Sequence, residues 1–225
     1  MIDLKNTSTF NLSQPKKEEF LIEILNNLTE FHLENCQEYN SLMSKFKRVD
    51  AKAKSIEDVP FLPVRLFKHV DFLSIPQSKV IKTMTSSGTS GQEVSRIYLD
   101  KETSALQIKV LSKIVSDFIG PHRLPMLVID SKSIISNRKK FSARTAGVLG
   151  FSMFGRDVEF ALDDDMSFNF DRVREFIEKY KDENILIFGF TFIIWKHFVE
   201  ELERLDVKVN ISNGILIHGG GWKQI

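Results

Sequence analysis

The chain has 225 residues, 42% of them hydrophobic and 27% charged, which is typical of a globular protein long enough to bury a core. Its 31 basic and 30 acidic side chains give a net charge of +1, so we expect neither a nucleic-acid partner nor an anionic membrane partner. The single cysteine, Cys36, excludes an internal disulfide framework and a cysteine-rich zinc site, and the five histidines lack metal-ligand spacing, so we assign no metal to side chains.

The first elements expected are helical. Apolar residues recur every three or four positions from Lys16 to Asn35, which predicts an amphipathic helix. A second, shorter helix is expected over 42–46. Prolines interrupt the apolar stretch at 55–68, which we therefore expect to be an extended arm. Residues 1–78 are interpreted as an N-terminal helical segment with this arm, and residues 79–225 as an α/β core.

A loop rich in hydroxyls and glycine follows. Runs 79–84 and 95–99 read as strands, and the loop between them contains Ser86, Ser87, Gly88, Thr89, Ser90 and Gly91. Glycine lets a backbone approach a ligand, and hydroxyl and backbone N–H groups donate to anionic oxygens, so the loop suits a phosphate chain. It has no Walker A pattern, because no Gly-Lys-Ser/Thr leads into a helix. The alternative is an ordinary hairpin turn.

Helices and strands alternate in the remainder of the chain. We expect helices at 101–118, 138–149, 168–180 and 192–205, and strands at 126–130, 158–162, 185–188 and 215–218. This alternation predicts an α/β fold, a mixed sheet flanked by helices, with ligands beyond the carboxyl ends of the strands. Three features lie at such ends: Asp130, the Phe188–Thr191 turn and the segment from His218 to Lys223.

Three consecutive glycines form the last feature. Gly219, Gly220 and Gly221 follow a strand that reads as buried, and such a cluster costs much backbone entropy. A flat ring could lie against this backbone, and Lys223 could reach a phosphate or a carboxylate. The alternative is a loose turn with an exposed lysine.

Four segments together resemble the LuxE-type acyl-protein synthetases of bacterial bioluminescence: the loop at 86–91, Ser95–Asp100, Phe188–Thr191 and His218–Lys223. These are a branch of the adenylate-forming acyl-CoA synthetase superfamily, and the resemblance runs from about Val59 to the last residue. It implies the large domain of such an enzyme, in which a fatty carboxylate attacks the α-phosphate of ATP and the acyl group passes to a protein cysteine. An acyl-reductase and thioesterase complex is the implied partner.

The resemblance also implies roles for individual residues. The ATP phosphates would be contacted by Ser86, Ser87, Gly88, Thr89, Ser90 and Gly91. The nucleoside would be contacted by Gly219, Gly220 and Gly221. Arg96 and Lys223 are the candidate cations, which with Mg²⁺ would offset charge repulsion between ATP and the carboxylate. No catalytic residue is assigned.

Two departures from the family pattern qualify this reading. The first cation after the loop is Arg96 rather than a lysine, and the sequence reaches Ile225 without the superfamily's later Tyr-Gly-x-Thr-Glu motif, lid lysine or acceptor cysteine. Cys36 does not match that cysteine, and we expect it to be a packing residue. We therefore expect an N-terminal portion of the enzyme, with an incomplete nucleotide-binding core that either self-associates through exposed strand edges or is only marginally stable.

Two other interpretations of the function stay open. One is an adenylating CoA ligase of the phenylacetate or polysaccharide-biosynthesis type, and another is a non-catalytic remnant or interaction module. Because no run of eighteen apolar residues and no signal pattern occur, we expect a cytoplasmic protein without a membrane span.

Overall fold

The computed structural model describes residues 10–45, 52–85, 94–136 and 143–221. Contacts between Cα atoms divide the chain into two compact units, Met1–Asp117 and Phe118–Ile225. This division does not test whether a nucleotide-binding core starts at residue 79, which stays a prediction.

Helices form the first part of the first unit. Helix α1 (Gln14–Asn35) confirms the predicted amphipathic helix, and α2 (Gln37–Lys45) begins five residues before the predicted 42–46 because its polar first turn carries no apolar periodicity. Cys36 ends α1 with an extended φ of −130° and is buried, as expected for a packing residue. The side-chain amide of Asn26 in α1 both donates to and accepts from the backbone of Ala53, at 2.9 and 2.8 Å.

The predicted extended arm contains short 3-10 turns at Ile56–Asp58 and Val64–Lys68. The prediction is therefore wrong over Val64–Lys68. Pro63 has a φ of −57°, and its carbonyl accepts a hydrogen bond of 2.9 Å from the N–H of Leu66, so this proline starts a turn instead of extending the chain.

An antiparallel hairpin follows. Strands β1 (Lys82–Thr85) and β2 (Arg96–Leu99) pair in the register Thr85–Arg96, which confirms that two strands flank the Ser/Gly loop. The loop itself, residues 86–91, lies outside the described residues. Helix α3 (Lys101–Ile119) begins where a carboxylate oxygen of Asp100 accepts a hydrogen bond of 2.7 Å from the N–H of Thr103.

The second unit is built on a parallel sheet in the order β4-β3-β5-β6. Its strands are β3 (Leu124–Ser131), β4 (Gly155–Leu162), β5 (Ile185–Phe190) and β6 (Gly214–Gly219). The apolar run in β3 is buried on both faces, as is usual for a central parallel strand.

Helical segments connect these strands in chain order. They are α4 (Ser133–Ser136), α5 (Ala143–Phe151), α6 (Phe170–Lys179), α7 (Thr191–Ile194), a π-helical turn (Trp195–Val199) and α8 (Glu200–Arg204). Only the second part of the helix predicted at 138–149 is described, as α5, because residues 137–142 lie outside the described ranges.

Alternation along the strands separates two packed faces. Leu127 and Ile187 belong to a core with Val173 and Phe176 of α6. On the other face, the ring of Phe188 stacks on Phe151 of α5 with centroids 4.4 Å apart. The sheet is thus covered on both sides.

The predicted α/β class, with helices flanking a sheet and an N-terminal helical segment, is confirmed. The strands separate into a parallel sheet of four and an antiparallel pair of two. Among the described residues, no helix is long and apolar enough to cross a membrane.

Candidate functional site

The strand order creates a crevice at the carboxyl edge of the parallel sheet. The chain leaves β3 toward β4 on one side, and leaves β5 toward β6 on the other. Connections that diverge from adjacent strands open a gap outside their carboxyl ends, and ligands of open α/β sheets bind there. Since β3, β5 and β6 are parallel, Ile129, Gly189 and His218 form one row across the sheet, and the next positions form the edge of the crevice.

A buried ion pair supports this edge. Asp130 at the end of β3 is 1% exposed, and Arg144 of α5 donates to both of its carboxylate oxygens, from Nε at 2.6 Å and from Nη2. The N–H of Ser131 donates to the same carboxylate at 2.7 Å. Hydrogen bonding to Asp130 raises the pKa of the Arg144 guanidinium. The pair compensates a buried charge and attaches α5 to the sheet.

Close packing explains four glycines of this unit: Gly147, Gly155, Gly189 and Gly214. A Cβ at Gly155 would lie 2.6 Å from Met126, one at Gly189 2.8 Å from Ile194, and one at Gly214 2.8 Å from Ile211. No larger side chain fits at these positions unless a neighbour moves.

The glycine cluster at the sheet edge differs. A Cβ at Gly219 or Gly221 would meet nothing within 4 Å, and one at Gly220 would meet only a ring atom of Phe190 at 3.4 Å. Gly220 also has a φ of +78°, which disfavours other residues. Packing therefore accounts for neither Gly219 nor Gly221, and their bare backbone leaves room for a ligand.

A hydroxyl fixes the turn that carries these glycines. Oγ1 of Thr191 lies 3.0 Å from Nδ1 of His218, 3.2 Å from the carbonyl oxygen of Gly219 and 3.0 Å from that of Gly220. Carbonyl oxygens only accept hydrogen bonds, and the hydroxyl has one proton to donate, so we assign the hydroxyl as donor to a carbonyl. Nδ1 of His218 is then protonated and donates to the hydroxyl oxygen. In the neutral ring, Nε2 is then the acceptor nitrogen.

The profile of one protein family, described as acyl-protein synthetase, LuxE, matches residues 3–225. The chain belongs to this family. No curated protein matches it in a search of such sequences. Membership confirms the resemblance seen in the sequence, and it implies acyl-protein synthetase activity and the use of ATP.

The predicted site residues of this LuxE-family chain fall into three groups. The structure brings Gly219, Gly220 and Gly221 together with Thr191 and His218 at the carboxyl edge of the parallel sheet. Residues 86–91 and Lys223 lie outside the described residues.

Arg96, the third group, belongs to β2 in the first unit, where its Nε donates to a carboxylate oxygen of Asp71 at 2.8 Å. This hydrogen bond raises the pKa of Arg96 and lowers that of Asp71. A phosphate contact by Arg96 would compete with Asp71 for the guanidinium.

A protein site for Mg²⁺ has no support among the described residues, where no group of three or more His, Cys, Asp or Glu side chains is placed to hold a metal ion. We therefore derive no step through a protein-bound metal.

Sequence reasoning missed Arg144 and the contact between Thr191 and His218. Arg144 carried no signal, because its partner Asp130 lies 14 positions away. Thr191 and His218 belonged to the family motifs, but their contact across β5 and β6 depends on which strands are neighbours, and this was not predicted. The signal available in the sequence was that a polar residue follows directly after each of two buried apolar runs, which is where ligands of such sheets bind.

Proposed function

We propose that this chain activates a fatty acid as its acyl-adenylate, with the nucleoside of ATP bound at the carboxyl edge of the β4-β3-β5-β6 sheet. The observation that carries the proposal is the open backbone at the strand-order crevice: Gly189 and Gly214, within the same strands, have close packing neighbours, whereas a Cβ at Gly219 or Gly221 would meet nothing within 4 Å. Family membership supports ATP as the ligand.

The chemistry proposed is a substitution at phosphorus. A carboxylate oxygen of the acid forms a bond to the α-phosphorus of ATP, the bond from that phosphorus to the bridging oxygen breaks, and pyrophosphate leaves. The thiolate sulfur of a protein cysteine then attacks the acyl carbon of the adenylate, the bond from that carbon to the phosphate oxygen breaks, and AMP leaves as the thioester forms. Mg²⁺ would arrive with the ATP phosphates, whose oxygens are among its usual ligands. The Ser/Gly loop at 86–91, Arg96 and Lys223 remain the proposed phosphate contacts.

The chain's own residues at the sheet edge have a positioning role in this proposal. The hydroxyl of Thr191 lies within 3.2 Å of the Gly219 and Gly220 carbonyl oxygens and donates its one proton there, and the Asp130–Arg144 pair fixes the end of β3. A preorganised edge of this kind reduces the ordering that a nucleotide would otherwise impose on binding. Cys36 is not proposed as the acyl acceptor, because it is 2% exposed.

Replacing Gly219 with valine tests the nucleotide site directly. Because nothing lies within 4 Å of a Cβ there and the position is in a strand, the variant is expected to fold with unchanged stability. Its side chain would occupy the space proposed for the nucleoside, so ATP affinity should fall at least about tenfold, equivalent to ~1.4 kcal/mol. Equilibrium titration with a fluorescent ATP analogue measures this.

Gly150→Ala is the matched control, because Gly150 also has open space around its Cβ position but lies in α5. It should bind ATP as the unmodified chain does. Wild-type affinity in folded Gly219→Val would contradict the nucleoside assignment. Fatty-acid-dependent exchange of pyrophosphate into ATP tests the adenylate itself, and its absence in a chain that binds both substrates would favour a non-catalytic module.

A further inference from the structure

The first unit contains a cavity of about 620 Å³ that the proposed nucleotide site does not use. Its volume lies within the range of ~300–1,000 Å³ usual for small-molecule sites. Its walls come from α1, the proline-containing arm, β2 and α3, all within residues 28–107. Apolar side chains supply most of the wall: Leu28, Phe31, Leu62, Phe67, Phe72 and Ile97.

Several of these wall side chains remain in contact with water. Leu28 is 46% exposed, Phe31 44% and Ile97 49%. A concave wall of this composition gains by exchanging water for an apolar ligand, since carbon surface removed from water stabilises a complex roughly in proportion to its area.

Two polar side chains in the wall, His32 and Arg96, already have partners within the unit. Nδ1 of His32 is 2.7 Å from Oγ of Ser74, and burial lowers the pKa of His32, which favours its neutral ring. Arg96 is the one cation among the lining residues, and it is paired with Asp71 at 2.8 Å. The wall therefore provides apolar contact without an uncommitted charge for a carboxylate.

From this geometry we propose that the cavity binds the straight alkyl tail of a fatty acyl substrate, with the polar head group left at the mouth. The choice of ligand rests on the proposed function, whereas the site lies in the other unit from the proposed nucleoside contacts. The cavity also adjoins the Ser/Gly loop in sequence, because Arg96 lines it and pairs with Thr85, the residue before that loop.

The test is equilibrium binding to the full chain without ATP, using octanoate, decanoate and dodecanoate and the corresponding primary alcohols. Affinity should rise about fourfold for each added methylene, the factor expected when a CH₂ group is buried. Acid and alcohol of equal length should bind alike. Equal affinities along the series, a strong requirement for the carboxylate, or tighter binding of phenylacetate than of dodecanoate would each overturn the proposal.

A matched pair of variants locates the ligand. Ile97→Glu places a charge in the cavity wall, whereas Ile81→Glu makes the same change at a 61% exposed position of the same hairpin that does not line the cavity. Dodecanol affinity should fall at least about tenfold in the first and stay within about twofold in the second. Equal losses, or none, would remove the ligand from this cavity.

Cys36 provides an independent readout, because it is the chain's single cysteine and lines the cavity. Saturating dodecanol should slow its modification by methyl methanethiosulfonate in the unmodified chain and in Ile81→Glu. Unchanged modification at saturation would overturn the proposal. Because ATP is absent throughout, the two proposals fail separately. Alkyl binding together with wild-type ATP affinity in Gly219→Val would contradict the nucleoside site alone, and weakened ATP binding in Gly219→Val without alkyl binding would contradict this inference alone.

Discussion

Removing Arg144 should destabilise the second unit more than a typical surface change, because it leaves the carboxylate of Asp130 buried. In Arg144→Met, the aliphatic bulk of the side chain is kept while the two guanidinium hydrogen bonds to Asp130 are lost, and only the 2.7 Å bond from the N–H of Ser131 remains. Breaking a buried ion pair from one side costs ~3–5 kcal/mol. The Arg144 side chain is 32% exposed, so water partly replaces it, and we expect about 3 kcal/mol.

The double variant Asp130→Leu with Arg144→Met separates pairing from packing. With both charges gone, no carboxylate is left unpaired, so the double variant should lie within about 1 kcal/mol of the unmodified chain. Urea unfolding followed by tryptophan fluorescence reports on this unit, because both tryptophans, Trp195 and Trp222, fall within Phe118–Ile225. A cost below about 1 kcal/mol for Arg144→Met, or a double variant equal to the sum of the singles, would refute the reasoning.

Three further changes test other contacts. Gly189→Ala should lower the free energy of unfolding of the second unit by about 1–3 kcal/mol, since its Cβ would lie 2.8 Å from Ile194; tryptophan fluorescence in urea measures it. Asn26→Ala removes both hydrogen bonds to the Ala53 backbone and should lower the local free energy of unfolding by about 1–3 kcal/mol, so we expect faster hydrogen exchange at the backbone amide of Ala53. Burial lowers the pKa of His32 below its ordinary 6.5, so as the pH drops below 6.5 the unfolded chain binds a proton on this ring before the folded chain does, and the folded state loses stability. Thermal unfolding at about pH 7.5 and about pH 5.5 measures this loss of stability. The loss should be smaller in His32→Gln.

Strands β3 and β5 were predictable because burial on both faces selects continuous apolar runs, whereas β6 is an edge strand in which no residue is buried. The runs predicted at 126–130, 185–188 and 215–218 each lie within a strand, and the strands extend at most two residues further at either end. Ends are harder to predict, because residues such as Leu124 and Gly219 join the ladder through backbone pairing that does not depend on their side chains.

The sequence could not supply the strand order. Local periodicity says that β3 is a strand, but it does not say that β4 and β5 lie on either side of it. The crevice follows from that order, and so does the contact of Thr191 with His218 across 27 positions. The cavity in the first unit could not be predicted from the sequence either, since its walls come from segments separated by up to about 80 positions.

The glycines show how the structure and the sequence complement each other. In the sequence, the single Gly189 and Gly214 and the cluster at 219–221 differ only in number, and clustering suggested a ligand at the cluster. The structure supplies a physical distinction: a Cβ at either single glycine would meet a side chain at 2.8 Å, whereas one at Gly219 would meet nothing. A glycine that packing requires should be intolerant of alanine in stability measurements, and a glycine that a ligand requires should be intolerant only in binding measurements. Gly189→Ala and Gly219→Val therefore form a pair whose opposite outcomes the proposed nucleotide site demands: the first should lower the unfolding midpoint, and the second should leave that midpoint unchanged while weakening ATP binding.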